Sequence, residues 1–227
     1  MIMTKPHIIC YMMMSVDGRI DCSMLEAMPG DEYYSVMSEL DTPTTVSGRV
    51  TAEIEIAEKG KFTAFSGTPI GKTAFYKAED ADGYDVITDT KGTLLWNDSA
   101  SYSRPVLILL GENADTAYTD YLKSKNISWI SCGKDRIDLK NAVRILADEF
   151  GVKRMAVVGG GHINAGFLEA GLLDEVHLLI GPGIDGRKNM TAVFDGLPEN
   201  RPVTPLKLTD VKSFENGTVL VKYDVVK

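Results

Sequence analysis

A run of three glycines between an apolar stretch and a helical pattern is the feature that most constrains the fold of this chain. The stretch Arg154–Val158 is followed by Gly159, Gly160 and Gly161, a helical segment, and a second apolar stretch around Val176. Three glycines remove every Cβ from the turn, so backbone N–H groups and the positive end of the helix dipole can approach an anion closely. Because a tight turn alone usually needs one glycine, the pattern favours a strand–helix–strand unit that binds a phosphate.

Apolar, strand-like segments alternate with helical patterns along most of the remaining chain. Strands are predicted at residues 7–14, 44–47, 84–88, 93–96, 105–110 and 127–132. Helices are predicted at 31–40, with a stripe of Tyr34, Met37 and Leu40, and at 49–59, 114–125 and 138–150. Residues 60–83 show no period and are predicted to form a long loop.

The C-terminal segment changes to an alternating apolar and polar pattern. Residues 206–214 and 218–226 flank Asn216-Gly217, a strong hairpin signal. Together these patterns predict an α/β fold of three layers, with a mainly parallel twisted sheet, helices on both faces and a C-terminal antiparallel hairpin. No linker or repeat interrupts the pattern, so we expect a single domain over residues 1–227.

Charge and cysteine content exclude several classes of protein. A formal net charge of −8 argues against a nucleic-acid-binding surface. The chain has no apolar run of membrane-spanning length and no secretory pattern at its N-terminus. Cys10, Cys22 and Cys132 are odd in number and widely spaced, which suits a reducing compartment, so we expect a cytoplasmic protein. Three scattered histidines predict no metal site.

A second candidate phosphate contact follows the predicted strand at 44–47. In Gly48-Arg49-Val50-Thr51, the glycine permits close backbone approach, Arg49 offers a planar guanidinium, and Thr51 offers a hydroxyl. Alone, the motif is also typical of a first helical turn with a solvated arginine. A nicotinamide dinucleotide has phosphates in separate places, which two such turns would suit. The usual dinucleotide fingerprint is absent, because Asn164 stands where its third glycine would be and the turn lies late in the chain.

Five motifs, taken in order, resemble one known family. They are Ser15-Val16-Asp17-Gly18-Arg19-Ile20, Gly48-Arg49-x-Thr51, Gly159–Gly161, Ala170–Glu175 and Pro182–Gly186. The set is similar to the reductase domain of bacterial riboflavin biosynthesis, which belongs to the dihydrofolate reductase-like superfamily. The resemblance extends over nearly the whole chain. It implies an NADPH-dependent reductase of the 5-amino-6-(5-phosphoribosylamino)uracil type, assembled as a homodimer through the sheet edge and C-terminal strands.

The resemblance also implies roles for individual residues. The cofactor phosphates would lie on Thr51 and on the turn from Gly160 to Asn164, which includes Gly161, His162 and Ile163, with Arg49 near the 2′-phosphate. Ser15 and Asp17 would lie near the nicotinamide and the substrate. We take Asp17 as the candidate catalytic residue that orients or protonates the substrate, although an Asp-Gly pair is also typical of a plain turn. His162 could equally be a surface cap.

The chain departs from the family at the substrate-reading positions. Tyr11 stands where the family has a lysine, and Val158 stands where it has a glutamate before the glycines. Glu55 occupies roughly the family's acidic position, without the proline and arginine that follow it there. The predicted function is hydride transfer from NADPH to a small heterocyclic or carbonyl substrate. The alternatives are a pterin- or dihydrofolate-like reductase, or a non-catalytic nucleotide-binding module that has lost its substrate pocket.

Overall fold

The computed structural model describes residues 5–20 and 31–227, which form ten strands and five α-helices. Cys22 lies outside the described residues. The strands are β1 (His7–Met14), β2 (Thr44–Gly48), β3 (Ala74–Tyr76), β4 (Asp85–Thr88), β5 (Val106–Leu110), β6 (Ser128–Ser131), β7 (Arg154–Gly159), β8 (Glu175–Ile180), β9 (Leu206–Ser213) and β10 (Val219–Val225). The helices are α1 (Glu32–Glu39), α2 (Arg49–Glu55), α3 (Thr116–Ser124), α4 (Leu139–Asp148) and α5 (Gly161–Glu169), with a short 3-10 helix at Ser99–Ser101.

The chain divides into two compact units. The first unit is built around Pro43–Lys153, and the second consists of His7–Thr42 and Arg154–Lys227. In both units the strands are mainly parallel and end in antiparallel additions, so the expected α/β class with a C-terminal hairpin is confirmed. The expectation of one domain over residues 1–227 is not tested by this division and stays a prediction.

The first unit is a five-stranded layer in the order β3-β6-β5-β4-β2. Strands β2, β4, β5 and β6 are parallel, and β3 pairs antiparallel with β6 at one edge. Every residue of β5 is buried, as expected for a central parallel strand. Trp96 and Tyr118 are fully buried in the core, where the indole N–H of Trp96 donates to the Tyr118 hydroxyl at 3.0 Å.

The second unit has the order β7-β1-β8-β10-β9. Strand β1 lies between β7 and β8 and is parallel to both, while β10 pairs antiparallel with β8 and with β9. One face of β1 packs against α1 through Ile9, Tyr11 and Met13, together with Val36 and Leu40 of the helical segment. The remaining members of that core are Leu179 and Leu220.

Two helix predictions need correction. The helix predicted at 49–59 ends at Glu55, and only part of the predicted stripe in the first helix is buried, since Leu40 lies in the core and Met37 packs against it. Tyr34 is 74% exposed, whereas Val36, which the pattern did not single out, is buried. The spacing of apolar residues in α1 was compatible with more than one face, and contact with β1 selects the face that carries Val36.

Residues 93–96 do not form the predicted strand. The buried carboxylate of Asp89, just after β4, accepts hydrogen bonds from the backbone N–H of Thr93 at 2.5 Å and of Leu94 at 2.9 Å. These two N–H groups are therefore unavailable to a β-ladder. A side-chain acceptor four and five positions earlier in the chain has replaced the strand partner that the apolar pattern predicted.

The long segment at 60–83 is more ordered than a loop without a period would suggest. It contains β3, which had not been predicted, and Asp115 anchors it to the start of α3. The Asp115 carboxylate accepts from the Ser66 hydroxyl at 2.7 Å and from the Gly67 N–H at 2.7 Å. Burial alone would raise the pKa of Asp115, but these hydrogen bonds outweigh it and lower the pKa to about 2.

The hairpin forms as predicted, yet its outer strand is not alternately buried. The turn is closed by hydrogen bonds between Phe214 and Thr218 and between Gly217 and Phe214, and Gly217 has φ +86°. All eight residues of β9 are exposed, including Leu206, Leu208 and Val211. Strand β9 is thus an edge strand, and the described residues of the second unit cover neither of its two faces.

Within residues 5–20 and 31–227, none of the helices has both the length and the apolar character that a bilayer crossing would require.

Candidate functional site

The carboxyl ends of three parallel strands carry the candidate site in the second unit. Strands β7, β1 and β8 lie side by side, so the loops that follow them emerge at one edge, where ligands bind in open α/β sheets. We call residues 15–20, 160–162, 181–186 and 190–195 the loop cluster. Its members are joined by backbone hydrogen bonds from Val16 to Gly183 at 2.8 Å and from Asp195 to Gly161 at 3.1 Å.

Asp17 sits at the centre of these connections. Its Oδ1 accepts from the Ser15 hydroxyl at 2.7 Å and from the Asp185 N–H at 3.0 Å, and its Oδ2 accepts from the Gly186 N–H at 3.0 Å. The hydrogen bond from Ser15, followed by those from Asp185 and Gly186, holds the pKa of Asp17 well below its usual range. These hydrogen bonds favour the ionised carboxylate, and the expected role of Asp17 in orienting or protonating the substrate stays a prediction.

Ser15 is also used inside the loop cluster. Its side chain is fully buried, and its hydroxyl donates to Asp17 and accepts from the Arg19 N–H at 3.0 Å. A buried hydroxyl that both donates and accepts within its own loop helps to fix the shape of that loop. The expected position of Ser15 near the nicotinamide and the substrate stays a prediction.

The three glycines of the turn serve different purposes. Gly159 is the buried last residue of β7. Gly160 has φ +86° and ψ +127°, a conformation that side chains rarely adopt, and a Cβ built there would meet no atom within 4 Å. Gly160 also precedes α5 without offering a side-chain cap, and the first turn of α5 carries no acidic residue. The result is an open, uncapped helix N-terminus of the kind that binds anions.

Gly161 is required by packing within the protein. A Cβ at this position would lie 2.2 Å from the carbonyl oxygen of Ala192 and 2.8 Å from Cγ2 of Thr191. Asn164, one turn further on, is fully buried, and its Nδ2 donates to the Val193 carbonyl at 2.7 Å. Both residues therefore hold segment 191–195 against α5, so part of the glycine run is explained without any ligand.

The two residues between them differ in exposure. His162 is exposed, and its ring lies close to Gly196, where an added Cβ would approach Cδ2 at 2.8 Å. Ile163 is half-buried. Of the residues predicted on this turn, Gly160 and His162 thus have the openness that contact with a ligand requires.

In the first unit, the second candidate motif begins α2. Gly48 is buried at the end of β2, and Thr51 is half-buried on the helix. Arg49 donates from Nη1 to Glu53 at 2.8 Å along the same helix, and both side chains are 40% exposed. Glu55 is exposed in the last turn of the helix, and partial desolvation of its carboxyl raises the pKa of that group. Arg49 is therefore accessible, although Glu53 competes for it.

The two departures from the family lie in different environments. Tyr11 is fully buried on the α1 side of β1, where its ring stacks on Tyr33 with centroids 4.9 Å apart and its hydroxyl donates to the Tyr33 carbonyl at 2.8 Å. Tyr11 is thus a core residue that cannot read a substrate. Val158 is half-buried near the end of β7 and brings no polar atom to that end.

A charged cluster lies at the opposite, amino end of the strands. Glu175 binds two imidazoles, with His7 Nε2 at 2.5 Å and His177 Nε2 at 2.7 Å. Burial lowers the pKa of His177 more than Glu175 raises it. A small cavity of about 170 Å³ beside these groups is also lined by Arg154 and Lys222. No group of three or more potential metal ligands was found among residues 5–20 and 31–227.

Sequence reasoning missed the partners of Asp17 and the role of segment 191–195. Two of the three donors to Asp17, the N–H groups of Asp185 and Gly186, lie 168 and 169 positions away in the sequence. Segment 191–195 has no regular pattern, and its contacts with Gly161 arise only where the tertiary fold brings it against α5. The available signal was the pairing of an Asp-Gly turn after β1 with a Pro182–Gly186 turn after β8, since neighbouring parallel strands bring such turns together.

Comparison with known proteins assigns the family. The model of the RibD C-terminal domain matches residues 70–221, and the chain belongs to this family, which confirms the resemblance seen in the motifs. Over 122 residues the chain is 28% identical to the 2,5-diamino-6-ribosylamino-4(3H)-pyrimidinone 5′-phosphate reductase of Methanothermobacter thermautotrophicus. The aligned part is 53% of this chain and 56% of that protein, so the chain spans about half the length of the curated relative it matches.

Solved structures show the same fold over nearly the whole chain. A pyrimidine reductase-like protein from Corynebacterium diphtheriae superposes with a TM-score of 0.73 at 18% identity, covering 99% of this chain and 93% of that one. The riboflavin biosynthesis reductase of Saccharomyces cerevisiae superposes with a TM-score of 0.66 at 15% identity, covering 98% and 91%. At these identities the likeness establishes the fold.

Proposed function

We propose that this protein is an NADPH-dependent reductase that transfers a hydride to a small heterocyclic substrate. The observation that carries the proposal is the open turn at Gly160, which exposes an uncapped helix N-terminus at the carboxyl edge of β7, β1 and β8. Membership of the RibD C-terminal domain family supports the same class of reaction, since the relative from Methanothermobacter thermautotrophicus is named as a pyrimidinone reductase.

The chain offers groups that fit the cofactor. The first turn of α5 would hold a phosphate through its backbone N–H groups, because Gly160 leaves open space there and the first turn itself carries no acidic residue. Arg49 would bind the additional phosphate that distinguishes NADPH from NADH, with Thr51 as a hydroxyl donor. When bound, the cofactor supplies the hydride, while the protein supplies phosphate binding, orientation and exclusion of water.

We expect NADPH to bind more tightly than NADH, and Arg49→Ala to weaken NADPH binding by about 1–3 kcal/mol, the range for hydrogen bonds to charged groups. Glu53→Gln is the matched control, because it removes the carboxylate that pairs with Arg49 on the same helix. That variant should bind NADPH at least as tightly as the wild type. Tryptophan fluorescence titration measures all three proteins. Equal affinity of the wild type for NADPH and NADH, or no binding of either, would contradict the proposal.

We expect poor or no turnover of the phosphoribosylated aminopyrimidine of riboflavin biosynthesis. Tyr11 is buried in the core and Val158 is apolar, so the polar groups that the family uses to read this substrate are partly missing. A substrate polar group left without a partner costs about 1–3 kcal/mol. The measurement is NADPH oxidation with this compound and with pterin-like compounds. Turnover of the riboflavin intermediate at ordinary rates of about 1–10³ per second would show the substrate prediction to be wrong.

We also propose a cytoplasmic homodimer formed through β9. An edge strand with all eight residues exposed, three of them large and apolar, needs a covering partner to avoid uncontrolled pairing. Sedimentation should give a dimer at micromolar concentration, and Val211→Lys should shift it toward monomer. Val203→Lys, which changes an even more exposed valine just before the strand, should leave the dimer intact. A monomeric wild type would refute the assembly.

A further inference from the structure

We propose that Asp17 is a positioning residue whose carboxylate joins loop 15–20 to loop 181–186 at the carboxyl ends of β1 and β8, where the substrate would bind. We call this connection the lock. In it Asp17 accepts hydrogen bonds and does not donate a proton to the substrate. The inference rests on the proposed reductase function for its kinetic part. The three donors to its carboxylate come from both loops: the Ser15 hydroxyl from the first, and the Asp185 and Gly186 N–H groups from the second. The carboxylate of one side chain therefore binds hydrogen-bond donors from both loops.

The rest of both loops is built around this lock. The two strands that the loops follow are neighbours, and the backbone continues their pairing with Gly181 N–H donating to Met14 at 2.9 Å and Val16 N–H donating to Gly183 at 2.8 Å. Beyond these bonds the second loop turns sharply at Gly186, with φ +64°. The Asp17 carboxylate therefore connects the two loops beyond the end of the regular β1–β8 pairing, through the N–H groups of Asp185 and Gly186.

The hydrogen bonds around the carboxylate favour a positioning role. Three donors stabilise its charged form, and the pKa of Asp17 is lowered accordingly. A general acid needs a pKa near the working pH, so the same three hydrogen bonds oppose proton donation. Loss of the charge instead weakens the connection between the loops and lets the substrate edge open.

The two locked loops each carry an exposed apolar side chain. Val16 is 59% exposed on the first loop and Ile184 is 75% exposed on the second. Val16 donates the backbone hydrogen bond to Gly183, and Ile184 follows Gly183 in the chain. The two loops therefore present apolar surface at the edge where a heterocycle would lie. Displacing reacting groups by about 1 Å can cost about 10²-fold in rate.

The kinetic test compares Asp17→Ala with Asp17→Asn. Asparagine retains an acceptor for Ser15 and Asp185 but places an N–H₂ group opposite the Gly186 N–H, so it should rescue part of the loss. We expect kcat/KM to fall by about 10²-fold in the alanine variant and less in the asparagine variant, with the pH profile unchanged in both. Asp138→Ala, which removes a capping carboxylate from α4 in the first unit, should lower stability alone. Equal loss in both Asp17 variants, with disappearance of one limb of the pH profile, would overturn the proposal.

A second measurement needs no activity. In the wild type, the ¹³C signal of the Asp17 carboxyl should stay constant between pH 4 and 8, and the amides of Asp185 and Gly186 should exchange slowly. Asp17→Ala should speed the exchange of those two amides. A carboxyl midpoint inside that pH range, or unchanged exchange in the variant, would refute the lock. If the wild type fails to oxidise NADPH with every heterocyclic substrate tested, the proposed function is contradicted. The exchange data still decide whether Asp17 forms the lock.

Discussion

Replacing Gly160 by valine is expected to abolish NADPH binding while the protein stays folded. The new side chain would fill space in which no protein atom lies within 4 Å, directly before the uncapped N-terminus of α5. A φ of +86° makes any side chain strained there, at a cost of about 1–3 kcal/mol in stability. Fluorescence titration of NADPH and thermal unfolding, measured on the same samples, separate the loss of binding from the loss of stability.

Gly171 provides the matched control at the other end of α5. It also has a positive φ, of +67°, and a Cβ there would likewise meet nothing within 4 Å. Gly171→Val should therefore be strained in a comparable way and still bind NADPH. A folded Gly160→Val variant with unchanged affinity would show that the phosphate lies elsewhere.

Replacing the next glycine should have the opposite outcome. Gly161→Val would bring a Cβ to 2.2 Å from the Ala192 carbonyl oxygen, a backbone atom that cannot move without displacing segment 191–195. We expect the free energy of unfolding to fall by more than about 3 kcal/mol, since overpacking against backbone is among the severe single-residue changes. Urea unfolding measures it, with Gly160→Val as the milder reference. A Gly161→Val protein as stable as the wild type would contradict the packing explanation.

Much of the architecture follows from local patterns. The apolar run at His7–Met14 became β1 without adjustment, and Asn216-Gly217 marked the hairpin, because each pattern depends on neighbours a few residues apart. Asp138 was expected to begin a helix, and its side chain accepts from the Asn141 N–H at 3.1 Å. Such short-range features can be read directly, since the interacting groups lie within one turn of the chain.

Where the sequence pattern was misleading, a competing partner decided the outcome. Residues 93–96 have the composition of a strand, but Asp89 takes the N–H groups of Thr93 and Leu94. Strand β9 has an alternating pattern, yet both of its faces are exposed, because the described residues of the second unit leave them uncovered. Periodicity describes what a segment could bury, and only packing shows whether anything covers it.

The site shows the same division between sequence and tertiary structure. The sequence by itself determined most of the strands and helices, the family motifs and the existence of a glycine turn before α5. Only the tertiary structure decided that Gly160 is open while Gly161 packs against Ala192, and that Asp17 binds donors 168 and 169 residues away. The physical reason is that hydrogen-bond partners and close contacts of this kind are set by the path of distant backbone, which no local pattern encodes.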